Sequence, residues 1–156
     1  WPSGWSGTAG NHTNFSCDWT ANGYRLPTEM EWMFAARGGN STHNYTYSGS
    51  PTIGDVAWYY DNAGSTTHPV ATKNANELQL FDMSGNVWEW CWDIYGAYPT
   101  GDQNNPHGAE SGTFRVRRGG SWNYYAGSCA VSYRNYNSAT FSSYGIGFRV
   151  CRISLN

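Results

Sequence analysis

Thiols are the side chains in this sequence with the greatest potential for chemistry. The chain carries four cysteines, Cys17, Cys91, Cys129 and Cys151. No two of them show the Cys-x-x-Cys spacing that is typical of zinc sites, so zinc binding is not expected. Two interpretations stay open: small packed thiols, or one or two disulfides in an extracytoplasmic protein.

Aromatic side chains are the second group that could bind a ligand. Phe, Trp and Tyr make up 17% of the chain, and six of them fall in two short stretches: Trp58, Tyr59, Tyr60, Trp88, Trp90 and Trp92. They could form a carbohydrate platform, but aliphatic residues are scarce, so core packing explains them better. The net charge is −2 with no basic run, which argues against a nucleic-acid partner.

The elements that must position these side chains are few. Thr28 is a natural N-cap with Glu31 three residues later, and two glycines follow Arg37, so a helix from about Thr28 to Arg37 is predicted. Alternating patterns predict strands at 86–92, with the tryptophans on one face, at 113–118 and at 147–152. The rest is rich in Gly, Ser, Asn and Pro, which predicts loops.

Length and composition fit one domain that covers residues 1–156. The 19 glycines and the scarcity of Leu favour an irregular α+β domain over a helical bundle. No apolar stretch reaches membrane-spanning length, so no transmembrane segment is expected. The chain starts at Trp1 without Met, which favours a mature or trimmed piece of an exported protein.

Four motifs occur in order along the chain: Tyr24 to Trp32, Asp82 to Trp90, Arg118 to Trp122 and Gly147 to Arg149. Together they resemble the formylglycine-generating-enzyme, or sulfatase-modifying-factor, domain family over most of the chain. The resemblance implies a C-type-lectin-like α+β fold with short twisted antiparallel strands, few helices and much irregular loop. Because that family carries a long additional N-terminal part, we expect this chain to be a C-terminal fragment.

The same resemblance indicates where catalysis would occur. The family's oxygen-dependent enzyme uses two cysteines shortly after the Gly-Gly-Ser motif, and by position these are Tyr124 and Cys129 here. A phenol cannot replace a thiolate as a soft-metal ligand, so we expect a protein without catalytic activity that requires no cofactor. The alternative is a divergent copper or thiol oxidase that uses Cys129 with Cys91 or Cys151.

The segment from Asn123 to Gly145, named here the variable segment, has a composition of its own. It contains five Tyr, five Ser and three Asn, but no Lys, Glu, Gln, Met or Trp. It resembles the variable region of diversity-generating retroelement proteins, in which adenine-directed mutagenesis diversifies Asn codons. The resemblance implies that Cys129 and Arg134 are scaffold. By position, the diversified, ligand-binding residues are Asn123, Tyr124, Tyr125, Gly127, Ser128, Tyr133, Asn135, Tyr136, Asn137, Ser138, Phe141, Ser143, Tyr144 and Gly145.

This composition is typical of a binding surface, because Tyr offers rigid contact area and Ser, Asn and Gly offer adaptable hydrogen bonds. We therefore predict a hypervariable display protein, extracytoplasmic and either secreted or on the cell surface, of prokaryotic or phage origin. Its partner would be a protein or another cell-surface macromolecule. The other interpretations are an inert polar loop and a calcium-dependent lectin. The residues expected to dominate binding are Tyr124, Tyr125, Tyr133, Tyr136 and Tyr144.

A structural calcium ion is the one cofactor that the resemblance implies. The family binds calcium in the stretch that matches Asp82 to Glu89. The ligands here would be the side chains of Asp82 and Glu89 and the backbone carbonyls of Gly85 and Val87, a set that suits a hard cation. The alternative is that Asp82 caps a turn and Glu89 pairs with a nearby Arg.

Overall fold

The computed structural model describes residues 16–152, so both ends of the predicted 1–156 domain lie outside the described residues. Two helices, two 3₁₀ turns (Gly39–Ser41 and Ala126–Cys129) and six short strands are separated by long stretches of turn and loop. This confirms an α+β domain with few helices. The helices and strands are α1 (Glu29–Ala36), α2 (Ile53–Val56), β1 (Tyr24–Arg25), β2 (Trp88–Ile94), β3 (Phe114–Arg118), β4 (Asn135–Ser138), β5 (Ile146–Phe148) and β6 (Cys151–Arg152).

Helix α1 begins where its capping residues predict. The Thr28 hydroxyl accepts a hydrogen bond from the Glu31 N–H, and the Glu31 carboxylate accepts one from the Thr28 N–H, at 3.2 and 2.8 Å. This reciprocal pair satisfies two of the free N–H groups of the first turn. The helix ends at Ala36, and Gly38 follows the C-cap Arg37 with a φ of 86°, a left-handed conformation that a residue without a side chain adopts most readily.

The strands form two small sheets. The larger has the order β4-β3-β2-β5, and β1 pairs with β6 in the smaller. β5 lies parallel to β2, whereas the other pairs are antiparallel. The prediction of one strand over 147–152 is wrong, because β5 and β6 belong to different sheets. The break falls at Arg149, whose guanidinium turns back to the Glu89 carboxylate at 2.6 Å.

One face of the larger sheet carries the core. Glu89 on β2 lies opposite Arg118 on β3, and both side chains are buried together with Cys91 and Val116. Helix α1 covers this face through Trp32. The hydrophobic core consists of Trp32, Ala36, Met83, Cys91, Val116 and Val131.

The other face carries the tryptophans of β2, as their alternation predicts. Arg117 lies over the Trp88 ring at 4.8 Å, and Arg115 over the Trp92 ring at 5.5 Å. Trp88 is nevertheless only 1% exposed, because Tyr124 and Tyr133 cover it. Within residues 16–152, no helix is long and apolar enough to cross a bilayer.

Candidate binding surface

The variable segment is fastened to the scaffold largely through its main chain. The Tyr60 N–H donates to the Tyr124 carbonyl at 3.0 Å, and the Val131 N–H donates to the Thr46 carbonyl at 2.9 Å. The Trp88 N–H donates to the Gly145 carbonyl at 2.9 Å. Peptide groups are common to all residues, so these bonds persist when the side chains of the segment change.

Two arginines, the buried Arg118 and the half-buried Arg134, add a second set of contacts that hold the segment. Arg118, which is 0% exposed, donates to the carbonyls of Tyr133 and Val131. Arg134 donates through Nε to both carboxylate oxygens of Glu29 at 2.9 Å, and its guanidinium stacks on the Tyr95 and Tyr98 rings. The path of the segment therefore depends largely on main-chain bonds and on two arginines outside the predicted diversified set, while the diversified Tyr124 and Tyr133 also pack on Trp88.

Most of the fourteen predicted diversified positions reach solvent. Tyr144 is 93% exposed and Tyr125 67%. Half-buried positions are Tyr124, Ser128, Asn135, Asn137 and Ser138. The exposed positions are Asn123, Tyr125, Gly127, Tyr133, Tyr136, Phe141, Ser143 and Tyr144.

Gly145 is the exception, because it is buried. A Cβ built there would lie 2.6 Å from Ser121 Oγ and 3.2 Å from Asn123 Oδ1. Any side chain would therefore require its neighbours to move. Its place among the diversified residues stays a prediction, which this geometry disfavours.

The five tyrosines do not share one face. Tyr124 and Tyr133 contact Trp88, with ring centroids 5.2 and 6.2 Å away. Tyr136 pairs across the strands with Val116, which points to the core face, and its ring lies 4.0 Å from Tyr95. Its neighbours on β4, at 135 and 137, point to the opposite face, as alternation along a strand requires.

One exposed aromatic residue that the sequence placed in the core lies beside this surface. The Tyr60 ring is 4.7 Å from the Tyr125 ring, and Tyr60 is 56% exposed. Its stretch of chain, Trp58-Tyr59-Tyr60, shows no alternation that separates a buried ring from an exposed one. The neighbouring Trp58 stacks on His68 at 3.7 Å.

The two buried thiols, Cys91 and Cys129, are poorly placed for redox or metal chemistry. Cys129 is 0% exposed, and burial raises the pKa of its thiol to about 12. Burial likewise raises the pKa of Cys91 well above its usual value. Both thiols are therefore protonated near neutral pH, whereas the thiolate is the nucleophile and the metal ligand. All four cysteines are free, which favours packed thiols over disulfides.

The residues predicted to bind calcium make the contacts expected from the alternative interpretation, in which Asp82 caps a turn and Glu89 pairs with a nearby arginine. Asp82 accepts a hydrogen bond from the Ala71 N–H at 2.8 Å. The Glu89 carboxylate accepts from Trp32 Nε1 and from Arg149 Nε and Nη2, each at 2.6 Å. A cation at Glu89 would compete with the Arg149 guanidinium, which favours the alternative interpretation, and the calcium site stays a prediction. The Gly85 N–H bonds to the Gly119 carbonyl, and Val87 is half-buried.

Comparison with known proteins places this fold in a family. A family model described as the sulfatase-modifying factor enzyme 1-like domain matches residues 5–153, and the chain belongs to this family. The "chaperone protein LppX" of Paenibacillus barcinonensis is 39% identical over 149 residues, which cover 85% of this chain and 50% of the relative. The formylglycine-generating enzyme of Streptomyces coelicolor is 36% identical over 147 residues, which cover 81% and 46%.

A solved structure relates the chain to a variable protein. Variable protein 1 of Treponema denticola has a TM-score of 0.81 and 43% identity, and the match covers 87% of this chain and 50% of that one. PvdO from Pseudomonas aeruginosa has a TM-score of 0.69 and 26% identity, over 84% and 53%. These findings confirm the C-type-lectin-like fold of the formylglycine-generating-enzyme type and the resemblance to variable proteins. The chain spans about half the length of these relatives.

Proposed function

We propose that this domain is a binding protein without catalytic activity, whose variable segment is diversified by a retroelement to recognise different partners. The observation that carries the proposal is the separation of roles within the segment. Main-chain hydrogen bonds and the arginines Arg118 and Arg134 hold its path, while thirteen of the fourteen predicted diversified positions are exposed or half-buried. Such a surface can change its chemistry without changing its fold.

The exposed side chains are suited to recognition. Tyr125, Tyr133 and Tyr144 are 67%, 40% and 93% exposed, and Tyr is enriched among residues that dominate binding energies. Ser and Asn between them supply donors and acceptors that suit many partners. The partner we propose is a protein or another macromolecule outside the cytoplasm, met by a secreted or surface-attached form of the protein.

An oxidase is the second candidate, because relatives in the same family are formylglycine-generating enzymes. The observations at the thiols argue against it. By the family resemblance, Tyr124 is expected at the position where the enzyme would need its first thiol. Cys129 is fully buried, and burial raises the pKa of its thiol. Soft-metal binding or disulfide exchange would need a thiolate that solvent or substrate can reach.

The retroelement is tested in the encoding DNA. We expect a second, near-identical copy of the stretch that encodes residues 123–145, differing at adenines, close to a gene for a reverse transcriptase. Flanking DNA that lacks both would contradict diversification by a retroelement.

The binding function is tested by selection from a display library. The thirteen accessible positions are randomised, the library is sorted for folded domains, and these are selected for binding to egg-white lysozyme as a model protein. We expect a large folded fraction and specific binders. A control library that randomises scaffold positions, among them the buried Ser121 and Cys129 and the half-buried Arg134, should be mostly unfolded. Loss of folding in the first library, or no binder from it, would contradict the proposal.

A further inference from the structure

The turn formed by residues 58–63, named here the 58–63 turn, lies against the variable segment but outside it. The Tyr60 N–H donates to the Tyr124 carbonyl at 3.0 Å. Above this bond the Tyr60 and Tyr125 rings lie 4.7 Å apart, and both are more than half exposed. The two tyrosines therefore form one continuous aromatic patch, of which only Tyr125 is predicted to vary.

The 58–63 turn is held in place by its own hydrogen bonds and by buried contacts. The Asn62 side chain accepts from the Tyr59 N–H at 2.8 Å and donates to the Ala57 carbonyl at 2.9 Å. Ala63 is 0% exposed. The Asn86 N–H donates to the Trp58 carbonyl at 2.7 Å. A contact residue on such a turn loses little conformational freedom when a partner binds.

The size of protein interfaces shows why fixed residues must take part. A stable protein–protein interface involves about 20–30 residues on each side. Thirteen of the predicted diversified positions are exposed or half-buried. A protein partner that covers them must therefore also cover constant residues around them. Tyr60 is a constant aromatic residue that is more than half exposed and whose ring contacts an exposed diversified one.

We propose that Tyr60 is a constant part of the binding surface and contacts the protein partners of this domain whatever sequence the variable segment carries. This inference rests on the proposed binding function. The main-chain bond to residue 124 keeps the distance between the turn and the segment the same in every variant, because it needs no particular side chain at 124. Tyr60 then offers a large ring and a hydroxyl to the protein partner of each new variant.

The test uses independent binders of egg-white lysozyme selected from the library described above. In each binder Tyr60 is changed to Ala, which keeps the main-chain bond to residue 124. We expect the affinity for lysozyme to fall about tenfold in most binders, as for a residue that dominates an interface. Tyr24→Ala is the control, because Tyr24 is 73% exposed and lies on β1. The affinity of this variant for lysozyme should stay within about twofold of that of the parent binder.

Hydrogen exchange gives a second measurement that needs no substitution. Amides in the peptide that covers residues 58–63 should exchange more slowly in the lysozyme complexes than in the free domains. Unchanged affinity after Tyr60→Ala, together with unchanged exchange in that peptide, would overturn the role of Tyr60 and leave the binding function standing. A folded library that yields no lysozyme binder would instead refute the binding function, and this inference with it.

Discussion

Arg134 joins the variable segment to the first residue of helix α1, because its guanidinium donates to both carboxylate oxygens of Glu29. The Glu29 side chain is 1% exposed and also lies 3.3 Å from Arg118 Nε. The carboxylate thus serves two arginines, of which Arg134 comes from the variable segment and Arg118 from β3. The pair explains why an arginine stands in a segment that has no other charged residue.

Substitution of Arg134 should therefore weaken the attachment of the variable segment to helix α1 and destabilise the protein. Arg134→Met leaves Glu29 buried with one cation fewer, and we expect the free energy of unfolding to fall by about 3 kcal/mol. Chemical denaturation measures the change. Arg37→Met is the control: Arg37 is exposed and bonds to Asn44, so its loss should cost about 0.5 kcal/mol or less. Equal losses in the free energy of unfolding for the two substitutions would show that the Arg134–Glu29 ion pair does not hold the segment in place.

Because Asp93 is buried, we expect the free energy of unfolding to depend on pH in an unusual way. Burial raises the pKa of Asp93 from 3.8 to about 6. The folded protein therefore holds a proton that the unfolded chain has released between these two values, and stability falls as pH rises through this window. Above pH 6 the cost of the buried charge is fully present. Asp93→Asn should therefore stabilise the protein at pH 7.5 by roughly 1–2 kcal/mol, and this gain should vanish below pH 4.

Thermal or urea unfolding at a series of pH values measures the effect of Asp93→Asn. Asp102→Asn, at an exposed loop position, is the control and should leave the pH dependence of the wild-type protein intact. A constant difference between Asp93→Asn and the wild type from pH 4 to pH 8 would contradict the assignment.

Two glycines of the variable segment should respond differently to the same substitution. Gly145→Ala places a methyl group 2.6 Å from Ser121 Oγ, and we expect a loss of about 1–3 kcal/mol in the free energy of unfolding. Gly127→Ala meets nothing within 4 Å and should change stability by less than about 0.5 kcal/mol. Denaturation of the two variants compares them directly. Equal tolerance at the two positions would contradict the steric conflict at Gly145 and support its place among the diversified residues.

The reactivity of the Cys129 thiol distinguishes a binding protein from an oxidase. We expect the native domain to react with a thiol reagent at Cys129 only after denaturation, because the thiol is buried and protonated. Copper(I) affinity and oxygen consumption should be the same in the native protein and in Cys129→Ala. Oxygen consumption that depends on Cys129 would identify an enzyme after all.

Local signals predicted local structure well. Thr28 and Glu31 predicted the start of α1, because a capping box needs only residues of one turn. The alternation of Trp88, Trp90 and Trp92 predicted their common face for the same reason. The parallel pairing of β5 with β2 could not be predicted, because it joins residues 58 positions apart, such as Trp88 and Ile146.

The sequence predicted which residues form the candidate surface, but not how their side chains are arranged in space. Composition and the family resemblance indicated residues 123–145, and most of their side chains lie at the surface. Sequence alone did not show that Tyr136 faces away from Asn135 and Asn137, since the bounds of a four-residue strand are weakly encoded. Nor did it show Tyr60 beside Tyr125, because that contact depends on how two distant loops pack.

The main-chain bonds to residues 124, 131 and 145 have an evolutionary consequence. Under the proposed diversification, a variant with new side chains between these residues would inherit the same anchored main chain. Selection for folding and selection for specificity would then act on different residues, so recognition could change while the fold is kept.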